Sequence, residues 1–323
     1  MADPAPPIRR YGPAAIEAAA ALILGGDIVA VPTETVYGLA ADASDSNAVA
    51  RIYAAKGRPS FNPLIVHVPD LAAAEVLAVL DDDARDLAAR FWPGPLTLVL
   101  PLRPGAPVAS LVTAGLDTVA IRMPAHRAMR ALLAATGRAL AAPSANRSNG
   151  ISPTRAEHVA ASLGTNVPLI IDDDACAAGL ESTIVQGRTV LRPGPIGAAD
   201  LFPDESGNTG PSSAASATQD ARLRGRTDKV TAPGQLATHY APTKPLRLNA
   251  IKAAPDEYTI GFGPVAGDLN LSVAGDLIEA AARLFDALHR ADASAKPCIA
   301  VAPIPAQGIG EAINDRLARA AHR

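Results

Sequence analysis

The strongest constraint on the fold is an alternation of strand-type and helix-type segments along the chain. Short apolar runs, such as 63–68 (PLIVHV) and 96–102 (LTLVLPL), are separated by stretches whose apolar residues recur at helical spacing. Strands and helices that alternate in this way are typical of α/β domains. The sequence therefore predicts an α/β fold.

Proline and glycine mark where the first helices begin and end. Pro13 opens an Ala-rich helix that Gly25 and Gly26 terminate, and a helix over 46–56 ends before Gly57. Further helices are predicted at 71–79, 83–91, 125–136 and 154–163. Strands are predicted at 27–33, 63–68, 96–102, 118–124, 138–142, 167–172, 181–186 and 189–193.

The character of the chain changes near residue 205. Residues 205–227 are polar, rich in Gly and Ser and without periodicity, which predicts a mobile linker. A second α/β unit follows, with strands at 258–262 and 298–302 and helices at 275–290 and 309–321. The predicted organisation is a large first domain over 1–204, a linker over 205–243 whose part 231–243 is structured, and a small domain over 244–323.

Composition narrows the classes of function. A net charge of −3 gives no overall attraction to nucleic acid or membrane, so any RNA contact would need a local basic patch. The two cysteines, Cys176 and Cys298, are far apart, which argues against a zinc site or a disulfide framework and fits a reducing compartment. The amino-terminal segment lacks the apolar core of a signal peptide. We expect a cytoplasmic protein with no membrane partner.

Residues 31–40 (VPTETVYGLA) are the first segment that suggests chemistry. An apolar strand gives way there to Thr33, Glu34, Thr35 and Tyr37, and Gly38 closes the stretch. Loops at strand ends often carry binding residues because a rigid scaffold positions them. We therefore expect a ligand-binding loop at this point.

The segment 54–68 (AAKGRPSFNPLIVHV) leaves two interpretations open. Lys56 and Arg58 flank the end of a helix, where cations stabilise the helix dipole without any further role. However, Arg58 and Asn62 lie in a loop that enters a strand, and His67 interrupts that strand's apolar run. His67 alone is typical of a hydrogen-bonded core histidine; the combination indicates a site.

Residues 118–126 (TVAIRMPAH) place an arginine inside a predicted strand. With a period of two, Thr118, Ala120 and Arg122 share one face. Burying a guanidinium without an anionic partner is costly, so either a protein carboxylate or a ligand carboxylate or phosphate must pair with Arg122. The sequence does not decide between these partners.

Two later strands also end in small polar residues. The loop 141–154 (AAPSANRSNGISPT) is either an ordinary polar turn or a phosphate cradle built from hydroxyls and backbone N–H groups. The strand at 181–186 (ESTIVQ) carries Ser182 and Thr183, and Arg192 lies in the strand after it.

Taken in order, these motifs carry a resemblance to a known family. The segments PTETVYGL, KGRPSFNPLIVHV, WPGPLTLVL, VAIRMP, APSANRSNGISPT, ESTIV and LRPGPI resemble the YrdC-like threonylcarbamoyl-AMP synthases, and the tail resembles their longer, two-domain form. The resemblance implies a twisted mixed sheet with flanking helices, followed by a smaller Rossmann-like three-layer α/β domain. This chain departs from the pattern in a short loop before LRPGPI and in a small second domain.

The resemblance also implies an activity and a set of site residues. The family's enzymes are nucleotidyltransferases that condense L-threonine, bicarbonate and ATP into threonylcarbamoyl-AMP and release pyrophosphate, for N6-threonylcarbamoyladenosine modification of tRNA position 37. The implied threonine site comprises Thr35, His67, Arg122, Ala142 and Ser182. The implied ATP site comprises Arg58, Asn62, Thr118, Ser144, Asn146, Ser152, Arg192 and Tyr240. Lys56 and Arg58 are the implied catalytic cations, and Tyr240 the residue that closes over the nucleotide.

Cofactors and partners follow from the same resemblance. Mg²⁺ is expected with ATP, although no cluster of carboxylates in the sequence indicates dedicated ligands. The product would pass to a threonylcarbamoyl-transferase complex that modifies tRNA, with at most a weak direct tRNA contact. Two alternatives stay open: a non-catalytic RNA-binding module of the same fold, and a carbamoyltransferase of the hydrogenase-maturation type, which would want zinc-finger cysteines and further domains.

Overall fold

The computed structural model describes residues 7–203, residue 232 and residues 239–322. Over these residues it confirms the predicted α/β fold, with a large mixed sheet followed by a small parallel sheet. The strands of the large sheet are β1 (Ile8–Arg10), β2 (Val29–Pro32), β3 (Tyr37–Asp42), β4 (Ile65–His67), β5 (Leu96–Pro101), β6 (Thr118–Arg122), β7 (Leu140–Ala141), β8 (Ile170–Asp172), β9 (Thr183–Gln186) and β10 (Thr189–Arg192).

Parallel and antiparallel pairs mix in this sheet. Within the described residues its strand order is β1-β8-β2-β3-β7-β4-β6-β5-β9-β10. The pairs β1/β8, β2/β8, β4/β6 and β5/β9 are parallel. The remaining pairs are antiparallel. Strands β4 and β6 therefore run in the same direction and end at the same edge, where their last residues are neighbours.

Within residues 7–203, the six predicted helices form with ends no more than two residues from the predicted bounds, and two short helices, Ser110–Thr113 and Ala198–Leu201, were not predicted. Helix α2 starts after Asp45, whose carboxylate accepts hydrogen bonds from two backbone N–H groups of the first turn, and stops at Gly57 in the left-handed conformation. The helices of the first unit are α1 (Pro13–Leu24), α2 (Ser46–Lys56), α3 (Leu71–Leu77), α4 (Asp82–Phe91), α5 (Ser110–Thr113), α6 (Arg127–Thr136), α7 (Ala156–Leu163) and α8 (Ala198–Leu201).

Strand β3 is the main element that sequence analysis misses. Tyr37–Asp42 pairs antiparallel with β2, so that Val31 lies opposite Gly38. Its sequence, YGLAAD, has a glycine, two alanines and no β-branched residue, which gives weak strand propensity. The strand forms because all but its last residue are buried between layers of the fold. The binding loop predicted from residues 31–40 is thereby a hairpin turn.

Two apolar cores belong to the first unit alone. One packs helices α1 and α6 onto the sheet through residues such as Ile23, Met129 and Leu132. The other gathers buried residues from Ile28 to Phe202 around helices α2 to α4. Because every member of both cores precedes residue 203, the first unit has the apolar contacts of an independently folding domain.

The second unit is a parallel α/β layer, as predicted. Its sheet order within the described residues is β11-β14-β12-β13, and every pair is parallel. The strands are β11 (Leu246–Arg247), β12 (Glu257–Gly261), β13 (Leu269–Asn270) and β14 (Cys298–Val301), and the helices are α9 (Leu277–Ala293) and α10 (Ile309–Ala321).

The predicted mobile linker over 205–227 lies outside the described residues. Of the predicted structured part, 231–243, the structure describes Ala232 and residues 239–243. The exact domain boundaries therefore stay a prediction. Every helix in the described ranges 7–203 and 239–322 is too short or too polar to serve as a membrane span.

Candidate active site

A cleft opens where strands of the large sheet end. His67 and Arg122 are the last residues of the parallel strands β4 and β6, and they are paired in register. The β2–β3 turn, the loop after β7 and the segment around β9 and β10 complete the walls. The cleft contains about 550 Å³ of empty space, its open mouth included. Its lining residues are Thr33, Thr35, Val36, Gly38, Arg58, Ile65, His67, Arg122, Ala142, Pro143, Ser144, Glu181, Ser182, Arg192, His239 and Tyr240.

Thr33 holds the shape of the hairpin turn. Its hydroxyl oxygen accepts hydrogen bonds from the backbone N–H groups of Thr35 (3.1 Å) and Val36 (3.2 Å) and lies 2.7 Å from the Val36 carbonyl oxygen. It also lies 2.8 Å from the hydroxyl of Thr35. Hydrogen bonds of this kind, between a hydroxyl and nearby backbone groups, take the place of strand hydrogen bonds and stabilise the turn. Thr35 is thereby fixed with its hydroxyl facing Arg122.

Arg122 is buried and paired with a protein carboxylate. Its Nη1 donates to the Thr35 hydroxyl at 2.8 Å, its Nε donates to the Gly94 carbonyl at 3.1 Å, and its Nη2 lies 2.6 Å from Glu34 Oε1. A guanidinium has five N–H donors, so these three contacts leave two for another partner. Of the two partners that the sequence left open, the structure shows the protein carboxylate.

Glu34 completes this pair from the hairpin turn. Its Oε2 accepts hydrogen bonds from the backbone N–H groups of Ala125 (3.1 Å) and His126 (3.2 Å). Burial by itself would raise the Glu34 pKa, but the positive charge of Arg122 and these hydrogen bonds outweigh it, so the pKa lies below its ordinary value. The carboxylate is therefore charged at neutral pH.

His67 forms a neutral wall of the cleft. Burial, and then repulsion by the Arg122 charge, lower its pKa to about 3. Its Nδ1 is buried and has no hydrogen-bond partner within the described residues. His67 therefore offers an uncharged imidazole beside a guanidinium, rather than a second cation.

The other end of the cleft is cationic. Arg58 donates from Nε to the Asn62 carbonyl (3.2 Å) and from Nη2 to the Pro63 carbonyl (2.8 Å), which turns its loop toward the cleft. Burial, and with it the charge of Arg192, lowers the pKa of Arg58 to about 10. Arg192 donates to the Ser182 carbonyl from Nε at 3.1 Å and from Nη2 at 2.9 Å. Both guanidinium groups remain charged at neutral pH and face the cleft together with Ser144.

Lys56 lies behind the cleft rather than in its lining. Its ammonium group donates to the backbone carbonyls of Ser144 (2.5 Å) and Asn146 (2.6 Å), and its side chain is buried. The Asn146 amide in turn donates to the carbonyls of Arg147 and Gly150. Lys56 therefore fastens the loop after β7 onto helix α2, a role that neither interpretation from the sequence includes.

A pair of residues from beyond the linker covers the cleft. His239 and Tyr240 are buried with their rings edge to face, 4.0 Å between centroids. The Tyr240 backbone has φ of 64°, a conformation that costs a non-glycine residue on the order of 1–3 kcal/mol. His239 Nδ1 and the Tyr240 hydroxyl are buried without a hydrogen-bond partner in the described part of the chain. A strained residue that presents unsatisfied polar atoms to a cleft indicates a ligand site.

The structure brings most of the predicted site residues together. All five residues of the predicted threonine set line the cleft, as do four of the predicted ATP set: Arg58, Ser144, Arg192 and Tyr240. Ser152 lies outside the lining, and its hydroxyl donates a hydrogen bond to the lining residue Glu181. Asn62, Asn146 and Lys56 support loops, and Thr118 begins β6, at the opposite end of that strand from Arg122.

The sequence analysis placed Thr33 and Glu34 in the expected binding loop but assigned neither a role in the site. It did not single out Glu181 and His239, which line the cleft, or Arg316, which contacts Glu181 from behind. Glu34 had a detectable signal, because a buried Arg122 needs an anion and Glu34 is the carboxylate of the predicted binding loop. Arg316 had one too, because it falls on the same helical face as the buried Ile313, Leu317 and Ala320.

No dedicated metal centre is present among the described residues, since no group of three or more His, Cys, Asp or Glu side chains is placed to hold an ion. The two carboxylates that line the cleft, Glu34 and Glu181, are each paired with an arginine.

The fold and the cleft together define a two-domain α/β protein with a small-molecule site of paired charges and hydroxyls. Two family models match the chain. One, described as "Telomere recombination" and named for Sua5, YciO and YrdC proteins, matches residues 21–194. The other, described as "Threonylcarbamoyl-AMP synthase, C-terminal domain", matches residues 207–322. The chain belongs to the Sua5/YciO/YrdC family, in the form that carries the threonylcarbamoyl-AMP synthase carboxy-terminal domain.

Known relatives span nearly the whole chain. A threonylcarbamoyl-AMP synthase of Bacillus subtilis is 40% identical over 330 residues, covering 95% of this chain and 92% of the relative. One of Pyrococcus abyssi is 37% identical, covering 94% and 93%. A crystal structure of Pyrococcus abyssi Sua5 complexed with L-threonine superimposes with a TM-score of 0.80 at 34% identity, covering 97% of this chain and 96% of that chain.

Proposed function

We propose that this protein is an L-threonylcarbamoyladenylate synthase. It condenses L-threonine, bicarbonate and ATP into threonylcarbamoyl-AMP and pyrophosphate, the precursor step for N6-threonylcarbamoyladenosine in tRNA. The observation that carries the proposal is one cleft with two ends: hydroxyls and a neutral imidazole beside the Arg122–Glu34 pair, and two charged arginines beside Ser144. The first end suits an amino acid and the second a polyphosphate.

The threonine end offers a partner for each polar group of the substrate. Arg122 retains two N–H donors that suit a carboxylate, in addition to its contacts with protein groups. Thr35 and Ser182 supply hydroxyls, and the backbone at Ala142 borders the same space. The neutral His67 adds a nitrogen without adding charge. Because Glu34 already balances Arg122, a zwitterionic amino acid leaves the site close to electroneutral.

The nucleotide end offers cations and small donors. Arg58 and Arg192 carry charge toward the cleft, and Ser144 lies on its wall. Tyr240 covers the cleft from beyond the linker and presents a hydroxyl with no bonded partner among the described residues. These groups suit the triphosphate and ribose of ATP, with Asn62, Asn146 and Ser152 supporting the loops that carry them. Thr118 remains a weaker assignment to this set because it begins β6 outside the lining.

The chemistry we propose needs no protein nucleophile. The amine of threonine attacks bicarbonate carbon, and loss of water leaves a carbamate. A carbamate oxygen then attacks the α-phosphorus of ATP, forming the P–O bond of the mixed anhydride as the bond to pyrophosphate breaks. Transfer of this kind depends on in-line positioning and on cations that stabilise the developing negative charge. We assign that task to Arg58 and Arg192, whose side chains line the cleft.

Magnesium enters this proposal with the substrate. Of the described residues, the two carboxylates at the cleft, Glu34 and Glu181, are each paired with an arginine, so this donor set does not fit a resident Mg²⁺ site. We take Mg²⁺ to arrive as the ATP complex, held by phosphate oxygens and water. The threonylcarbamoyl-AMP formed would be consumed by a transferase complex that acts on tRNA.

A coupled pyrophosphate assay tests the proposal. Purified protein is incubated with Mg-ATP, with threonine and bicarbonate added singly and together. The proposal predicts pyrophosphate release that requires both additions. Release that is equally fast without threonine, or no release at all alongside tight RNA binding, would favour a different ATP-dependent activity or the RNA-binding alternative.

A further inference from the structure

The second domain places a buried arginine directly behind the site. The Arg316 side chain is fully buried, although it belongs to helix α10 (Ile309–Ala321) near the carboxyl end of the chain. It shares the apolar face of that helix with Ile313 and Leu317. A guanidinium in that position is costly to desolvate, so its contacts need an explanation.

Each nitrogen of Arg316 has a defined partner. Its Nε donates to Glu181 Oε2 at 2.9 Å, and its Nη2 donates to the Pro193 carbonyl at 2.9 Å. Its Nη1 donates to Asp315 Oδ2 at 2.7 Å, within its own helix. The guanidinium carbon lies 5.3 Å from the centre of the Tyr240 ring, over its face. Arg316 thus contacts both segments of the first domain that border β9 and β10, and the residue that covers the cleft.

The partners of Arg316 carry residues of the nucleotide end. The other oxygen of Glu181 accepts a hydrogen bond from the Ser152 hydroxyl. Glu181 precedes Ser182, whose carbonyl and hydroxyl accept from Arg192. Pro193, held by Arg316 through its carbonyl, follows Arg192 directly. One guanidinium therefore joins the segments at Ser152, Ser182 and Arg192.

Electrostatics keep this junction charged. Burial would raise the Glu181 pKa, but the charges of Arg316 and Arg192 and the hydrogen bond from Ser152 hold it below the ordinary value. Replacing a buried ion pair with apolar residues of similar volume is often neutral or stabilising. The stability of the folded protein therefore does not explain why an arginine and a glutamate lie here. Orientation of the loops that they contact explains it.

The surrounding interface between the two domains is closely packed. Val36, Ile151 and Leu180 of the first domain share one apolar core with the second domain. A Cβ atom on Gly179, whose φ is +66°, would lie 2.5 Å from backbone atoms of helix α9 (Leu277–Ala293), so the two backbones are in direct contact. His289 of α9 adds a bond from its Nε2 to the Ser152 carbonyl at 3.1 Å. Arg316 is thus held on a packed surface and not on a mobile arm.

We propose that Arg316 is a positioning residue through which the second domain fixes Ser152 and Arg192 for ATP. The inference rests on the proposed function, because that function assigns these two residues to the nucleotide end. In this proposal the second domain contributes to the reaction, because Arg316, behind the cleft, orients the loops that contact the nucleotide. Arg316 itself does not line the cleft among the described residues.

Steady-state kinetics of Arg316→Met test the inference. We expect the KM for ATP to rise at least about tenfold, equivalent to about 1.4 kcal/mol, while the KM for threonine changes less than threefold. A merely structural role would lower the active fraction, and so kcat, and leave both KM values unchanged. Arg316→Lys, which keeps the charge but loses the planar fork, should be intermediate. Arg283→Met is the matched control, since Arg283 is an exposed arginine of α9 that pairs with Glu279.

A double variant separates a loss of stability from the predicted change in the KM for ATP. Arg316→Met leaves Glu181 buried and unpaired, whereas Glu181→Gln combined with Arg316→Met removes both charges. The inference predicts that the double variant recovers thermal stability but keeps the raised KM for ATP. A wild-type KM for ATP in any of the three folded variants would overturn it. If wild-type protein releases pyrophosphate in the threonine-dependent assay, such a result rejects only the role of Arg316; without that release, the proposed function itself fails.

Discussion

At the residue scale, the two ends of the cleft differ in the partners of their arginines. Arg122 is paired with Glu34, whereas the guanidinium of Arg58, which also lines the cleft, donates to the backbone carbonyls of Asn62 and Pro63. Carbonyl partners orient a guanidinium without neutralising it. The two ends of the cleft therefore differ in net charge, which matches a zwitterion at one end and a polyanion at the other.

The first prediction concerns Arg122. Arg122→Lys keeps a charge beside Glu34 but removes the planar donors that a carboxylate would use. Threonine affinity, measured by calorimetry, should fall at least about tenfold, equivalent to about 1.4 kcal/mol, with little change for ATP. The exposed Arg130→Lys on helix α6 is the control. An unchanged threonine affinity would reject Arg122 as the carboxylate partner.

The second prediction separates Arg58 from a helix-end charge. Because Arg58 lines the cleft, Arg58→Ala should lower turnover at least about tenfold, or about 1.4 kcal/mol in the barrier, with nearly unchanged Tm. Arg51→Ala, on the solvent side of the preceding helix and paired with Asp27, should leave turnover intact. If Arg58→Ala instead loses stability at normal specific activity, Arg58 serves the helix and not the reaction.

Individual residues show how far sequence reasoning reaches. The resemblance implied Thr35, His67, Arg122 and Ser182 as one site, and all four line the cleft because each lies at or near a strand end. The partner of Arg122 could not be chosen, since pairing depends on how the β2–β3 turn folds back. The role of Lys56 was equally hidden, because its bonds go to carbonyls of Ser144 and Asn146, far along the chain.

At the element scale, helices α7 and α9 join the two domains through a histidine pair. The rings of His158 and His289 stack with centroids 3.9 Å apart. Asp286 lies on the same side, 3.4 Å from His158 Nε2, and also pairs with Arg155 and Arg290. Burial, and then the neighbouring His158, lower the His289 pKa to about 4.

This pair gives the third prediction. The His289 pKa is about 4 in the folded protein and about 6.5 in the unfolded chain, so the unfolded chain binds a proton first as the pH falls. The free energy of unfolding is therefore unaffected by this histidine above pH 6.5 and decreases as the pH drops from 6.5 toward 4. At pH 5 the loss is on the order of 2 kcal/mol. The Tm of wild type should therefore fall more steeply between pH 7 and pH 5 than that of His289→Gln. The exposed His322→Gln should follow wild type, and parallel curves for His289→Gln would contradict the assignment.

Elements were predictable where local signals and burial agree. Helix α2 follows from Asp45 and Gly57, and helix α10 from a clear apolar face. Strand β3 failed because its glycine and alanines have weak strand propensity, and only burial within the fold makes it a strand. Short edge strands such as β1 (Ile8–Arg10) depend on partners distant in sequence, here β8.

At the scale of the whole molecule, the second domain acts on the site that the first domain builds. Both apolar cores of the first domain are complete without it, yet Val36, Ile151 and Leu180 pack into the core of the second domain. The sequence predicted two α/β units but not their interface, because the packing surfaces are loops with no periodic pattern.

The fourth prediction follows from that division. Truncation after residue 204 should leave a folded domain, because both of its cores are kept. ATP affinity and adenylate formation should nevertheless drop sharply, because the truncation removes Tyr240, which covers the cleft, and Arg316, which lies behind it. Tyr240→Ala in the full chain should show a milder form of the same defect. Circular dichroism and nucleotide-binding measurements would check both; a folded truncation product that works at the full-length rate contradicts this account.

Identification of the reaction product shows directly whether the protein forms threonylcarbamoyl-AMP. Protein is incubated with Mg-ATP, isotope-labelled threonine and isotope-labelled bicarbonate, and the nucleotides are analysed by mass spectrometry. We expect a single adenylate that contains both labels and forms at the same rate as pyrophosphate. The Arg58→Ala variant should form less of it. An adenylate that carries only the threonine label, or pyrophosphate formed without any labelled adenylate, would contradict the proposed function.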